Sequence, residues 1–270
     1  MSYKDLPRLL TMSIVWLLLL VWYLTAHRLS CFATLALLSV VTALLWISGA
    51  ELALARRRAL LRECLVPAGR LYRLLGRRQV LLALEGLKAL ALGVVLLAGT
   101  ASFLPRQWAL MFADVLLLGL LLPRLYAMLE NQMHPDYRFA TARRWSVWIS
   151  TGLLWLESLS ALFFAASENF TGQRWQEVIG FGATAPDVLC APMAQLAALG
   201  SAMQSLGLWS AQNFARSLHD LPQAFMAALG LLAAAGFSLV LAYAFSRTLI
   251  GSVGRPWSHW RLDAPEARRR

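Results

Sequence analysis

The chain has 270 residues, 59% of them hydrophobic and only 14% charged, with a formal net charge of +11. Soluble domains carry about a quarter charged residues, so this composition, with a mean hydropathy of +0.58, excludes an ordinary soluble domain and indicates a membrane protein. The positive balance points to loops retained on the cytoplasmic side rather than to nucleic acid, because no basic face interleaved with exposed aromatics occurs on a soluble module.

Apolar runs of about 17 to 25 residues read as membrane-spanning helices. In lipid only helices and closed barrels satisfy the backbone, and runs that are continuous rather than alternating select helices. The first run, 9–26, follows Lys4 and Arg8. It lacks a small-x-small cleavage site and reads as a retained span rather than a removed signal. The second run is 31–54, the third 79–104, the fourth 108–129, the fifth 145–166 and the last 223–245. Pro123 sits near the end of the fourth, where a kink is expected. Trp108, Trp145, Trp148 and Trp257 fall near the predicted interfaces, as aromatic belts do.

Between the second and third runs, the elbow 55–78 carries Arg56, Arg57, Arg58, Arg62, Arg70, Arg73, Arg77 and Arg78. Positive charge in short loops stays cytoplasmic. The link holding Arg138, Arg143 and Arg144 and the tail holding Arg247, Arg255 and Arg261 follow the same rule, whereas the links at 27–30 and 105–106 are short and charge-poor. The fold class that satisfies these facts is an all-α polytopic membrane protein with six transmembrane helices and both termini inside. The outer segment 167–222 contains an uncharged stretch long enough to span. Gln195, Gln204, Gln212 and Asn213, with Pro186 and Pro192, argue instead for a re-entrant or interfacial helical hairpin between the fifth and sixth helices.

No phosphate-cradling loop or nucleophile elbow is present. His27, His134, His219 and His259 are scattered and form no ligand pair, so neither a metal nor another cofactor is expected and no enzyme activity is read. Cys31, Cys64 and Cys190 are far apart and form no disulfide framework or zinc site. A bridge between Cys31 and Cys190 near the outer face is open, but small buried thiols are the simpler reading. The sequon at Asn169 reads as incidental.

The informative residues are charges inside apolar runs, since each costs about 2.5–3.5 kcal/mol at the bilayer centre unless partnered or wet. Glu85 and Lys88 share a face of the third helix. Arg124 lies at a similar depth on the fourth, Asp114 toward its outer side, and Glu157 near the middle of the fifth. Three readings stand for them: an ion-paired network of Glu85 with Lys88 or Arg124, a polar path for substrate, ion or proton, and snorkelling of Lys88 and Arg124.

In the elbow, Glu63 is followed by Pro67, Arg70, Arg73, Gly76 and Arg77. The spacing, with Arg77 in place of Lys, resembles the segment after the second helix in type 2 permeases of ATP-binding-cassette exporters. An acid, Pro-x-x-Arg and Leu-Leu-Gly-Lys recur there. The resemblance implies a coupling helix that docks on a cytoplasmic ATPase through these residues, in a six-helix permease with an outer hairpin. The short N-terminus and the brief first outer link depart from that pattern. Without the resemblance, a basic amphipathic elbow binds anionic headgroups or an acidic partner. The expected function is a membrane-spanning permease subunit of an exporter powered by a separate ATPase, in a bacterial-type inner membrane. It would work as a homo- or hetero-oligomer within the lipid bilayer. The alternative is a non-enzymatic scaffold or anchor subunit of a secretion, conjugation or envelope-assembly complex.

Overall fold

The computed structural model describes residues 6–25, 30–63, 78–103, 105–130, 132–133, 135–164, 169–182, 191–217 and 221–253. The helices are α1 (Leu6–Thr25), α2 (Cys31–Glu63), α3 (Arg78–Ala101), α4 (Pro105–Met128), α5 (Pro135–Phe164), α6 (Trp175–Gly182), α7 (Ala191–Ser217) and α8 (Leu221–Ser252). No strand occurs among the described residues. The chain is an all-α polytopic membrane protein, in which α1, α2, α3, α4 and α8 contain segments long and apolar enough to cross a bilayer.

The pairs α1–α4 and α2–α3 pack antiparallel. Trp16 and Tyr23 of α1 stack on Phe112 and Trp108 of α4, at ring centroid distances of 4.9 and 5.2 Å. Trp46 of α2 donates to the Leu82 carbonyl of α3 at 3.0 Å. α4 opens on Pro105 and α5 on Pro135, where the missing N–H and preset φ favour a helix start. α4 continues as helix through Pro123. The core is apolar and continuous, from Met12 and Leu19 through Leu45, Leu97 and Leu118 to Phe245 and Leu249.

α5 is not among the five apolar helices, and its packing shows why. Its buried face carries Arg143, Ser146, Ser150 and Thr151, while Trp145, Trp148, Leu153 and Leu156 point outward and are exposed. Window hydropathy averages over both faces and so falls. Arg143 donates to the Ile250 carbonyl near the end of α8, where a cation satisfies the unpaired carbonyls of a helix C-terminus. Trp155 donates to the Ala235 carbonyl of α8 at 2.9 Å, so the two helices also run antiparallel.

Three features differ from the sequence reading. α2 runs unbroken to Glu63, past the arginine triplet, rather than ending near residue 54. The stretch 191–217 is one unbroken helix, with no non-helical tip within it, lying along α8. A Cβ at Gly207 would meet Ala234 and one at Gly230 would meet Ser210, so α7 and α8 are antiparallel and closely apposed. Cys31 is disulfide-bonded, which corrects the reading of three small buried thiols, and the other two cysteines lie outside the described residues.

A second, smaller core of Phe170, Val178, Trp209 and Ala227 joins α6, α7 and the first half of α8. Leu241 abuts Gly99, two residues before α3 ends, so about 30 Å of α8 precedes that level. The turn before α6 is held by α7. Gln212 accepts from the Phe170 N–H at 2.7 Å, Asn213 accepts from the Gly172 N–H at 3.0 Å and donates to the Phe170 carbonyl at 3.1 Å. Gly172 has φ of 80°, a left-handed conformation that side chains rarely adopt.

Candidate functional site

Three polar groups lie within the helical bundle, and the structure keeps them apart. The first joins α3 to α8. Lys88 Nζ is 3.1 Å from Glu85 Oε1, and Arg247 Nη2 is 3.2 Å from Glu85 Oε2. Arg247 also donates to the Tyr243 hydroxyl at 2.8 Å. Glu85 and Arg247 side chains are only 15% and 12% exposed, so water screens the pair little. Gly49 of α2 makes room for it, because a Cβ there would collide with the Arg247 guanidinium and lie 2.6 Å from Glu85. Arg124 is exposed on α4 and is not brought to Glu85. Arg247, assigned from sequence to a cytoplasmic tail, belongs to a buried helical turn instead.

The second group joins α4, α5 and α8 at mid-helix. Ser150 donates to Asp114 Oδ2 at 2.8 Å, and Ser150 and Ser246 share a 2.6 Å hydrogen bond. Ser246 in turn donates to the Ala242 carbonyl at 2.9 Å. Asp114 is buried, and its Oδ1 has no hydrogen-bond partner. Burying one face of hydroxyls lets three helices approach closely and hydrogen-bond across the seam.

The third group is a pocket near the Cys31 end of the bundle, formed by the end of α3 with α4, α5, α7 and α8. It is a partly open cavity of about 160 Å³. A cavity of similar size lined by aliphatic and aromatic groups accepts an aromatic ring. Phe103, Phe237 and Phe245 contribute aromatic walls, and Gln107 and Gln204 add amides. Glu157 is the one charged side chain among the described lining residues. Its partner Arg106 stands at 3.7 Å and is itself 69% exposed. This is a mostly apolar cleft with a few convergent polar groups, the usual form of a small-molecule site.

Of the residues singled out in the sequence, Glu85 and Lys88 meet in one cluster, whereas Asp114 and Glu157 occupy separate ones. Glu63 ends α2, and Pro67, Arg70, Arg73, Gly76 and Arg77 lie outside the described residues. Arg247, Ser150, Ser246, Gln107 and Gln204 were missed as site residues. Ser146 and Ser150 are four apart, a one-face signal that was available. Nothing local in the sequence links Arg247 to Glu85. No group of three or more metal-ligating side chains occurs among the described residues. No protein-family model, curated protein or solved structure matches the chain.

Proposed function

We propose that the chain is the membrane-spanning permease subunit of a multi-component exporter, powered by a separate cytoplasmic ATPase. The observation that carries this reading is the pocket at Glu157, a partly open, ligand-sized cleft between helices of a membrane bundle. The elbow spacing from Pro67 to Arg77 supplies the route to an ATPase.

The topology proposed with it has six spans and both termini inside a bacterial-type inner membrane. The arrangement of α5 supports a sixth span: tryptophan and leucine outward with serine inward suits lipid and is unfavourable in water. The disulfide at Cys31 supports the orientation, since disulfides persist on oxidising sides. It supports placing the start of α2 outside and the arginine-rich end in the cytoplasm, in line with the positive-inside rule. Glu63, the last residue of α2, lies about 48 Å along the helix from Cys31, whereas a disulfide needs Cα atoms within roughly 7 Å. Cys190→Ser therefore abolishes the oxidised form on a non-reducing mobility assay, and Cys64→Ser preserves it. The reverse result sinks this orientation argument.

The decisive experiment is copurification of the full chain with a nucleotide-binding subunit, followed by ATP-dependent export in vesicles. Pro67→Ala and Arg70→Glu are expected to weaken that association. If both leave association and export intact, the coupling role of the elbow is abandoned. A scaffold or anchor subunit of a secretion or envelope-assembly complex is the second reading. The α2–α3–α8 junction favours it, because Glu85 and Arg247 pair there largely buried, as a joint between helices rather than a path. Pull-down of a stable complex lacking any ATPase would select it.

A further inference from the structure

We infer that the pocket at Glu157 is a binding site for a hydrophobic organic cation, an aryl- or alkylammonium, with Glu157 as its counter-charge. As a substrate class this rests on the export reading; as a binding property it does not.

The charge comes first. Glu157 is the only ionisable side chain lining the cleft among the described residues. An anionic headgroup would be repelled there, and a neutral chain would leave the carboxylate unused. Glu157 is not locked to another protein cation. Its contact with Arg106 is long, at 3.7 Å, and Arg106 is mostly exposed at the start of α4. Exposed pairs of this kind contribute little, and the arginine can return to solvent without an unpaired-burial penalty. Glu85 is the control inside the same molecule: two cations hold it at 3.1 and 3.2 Å, so its charge is already countered.

The walls then select a hydrophobic cation over a hydrated one. Phe103, Phe237 and Phe245 line the cleft together with Met111 and Leu241. Aromatic faces attract a desolvated ammonium, most strongly where water is excluded. The amide of Gln204 offers hydrogen bonds without adding charge. A volume of about 160 Å³ admits one ring or a short alkyl group, and the open side lets the rest of a larger molecule extend outward.

The test is equilibrium binding of tritiated benzyltrimethylammonium to the full chain in lipid nanodiscs, with neutral neopentylbenzene as an isosteric competitor. Saturable binding is expected, with the neutral isostere at least about tenfold weaker and Glu157→Gln weakened about tenfold or more. Arg106→Gln, a change at an exposed site, removes the competing cation and is expected to tighten binding about two- to fivefold. That gain cannot arise from misfolding. Absence of saturable binding, equal competition by neopentylbenzene, unchanged affinity in Glu157→Gln or no tightening in Arg106→Gln each overturns the proposal. No ATPase is present in this assay. A negative result therefore leaves the exporter reading standing with another substrate, and failure of ATPase copurification leaves the binding site standing.

Discussion

Two glutamate–arginine pairs in this protein share a chemistry and differ in nearly everything else. At Glu85 and Arg247 the charges are 3.2 Å apart, both side chains are largely buried, and a second cation and a tyrosine hydroxyl complete the shell. At Glu157 and Arg106 the separation is 3.7 Å, the arginine is mostly exposed, and an apolar cavity opens beside the carboxylate. The first pair is a joint between helices, and the second is a charge with room beside it. Burial decides between the two roles. A desolvated pair is strongly coupled and costly to break, whereas an exposed one is screened and exchanges partners easily.

The contrast is broken most directly at the joint. Glu85→Ala strands Arg247 in a poorly hydrated position and is expected to destabilise the protein by about 3 kcal/mol, read by denaturant titration in detergent. Replacing Arg247 with Leu in the same chain restores much of that loss. A single-variant effect below about 1 kcal/mol would mean that the junction is wetter than its geometry indicates. Gly49→Ala comes next. The added methyl pushes the Arg247 guanidinium off Glu85, at a cost of about 2 kcal/mol in the same titration. The smallest effect belongs to the pocket. Glu157→Gln changes stability by less than about 0.5 kcal/mol, because an exposed partner supplies little, while cation binding falls. A large stability loss there would make Glu157 a second joint and end the distinction.

The sequence located the charges but could not rank them. Glu85 and Lys88 are three apart, so their contact was legible from helical spacing. The contact to Arg247 spans 162 residues and depends on how α3, α8 and α2 cross, with Gly49 at the crossing. Glu157 was visible as an intramembrane acid, but the cavity beside it is made by four helices and Phe103 just past α3, and leaves no mark in any one of them. The uncharged stretch in 167–222 was hard to read for a related reason. Gln212 and Asn213 spend their polarity on the turn at Phe170–Gly172, so two of the polar residues that argued against a span are satisfied by hydrogen bonds from within a long helix.

Composition and run length by themselves determined that this is a helical membrane protein, and that follows from the bilayer: lipid offers no hydrogen bonds to the backbone, so each apolar run must close its own. The placement of arginines marked which links are basic. Only the tertiary structure decided which face of α5 is buried, which cation meets Glu85 and where a cavity remains. Those outcomes depend on side chains from distant segments arriving at the same depth. The energy of a charge in such a place is set by its neighbours rather than by its own position in the chain.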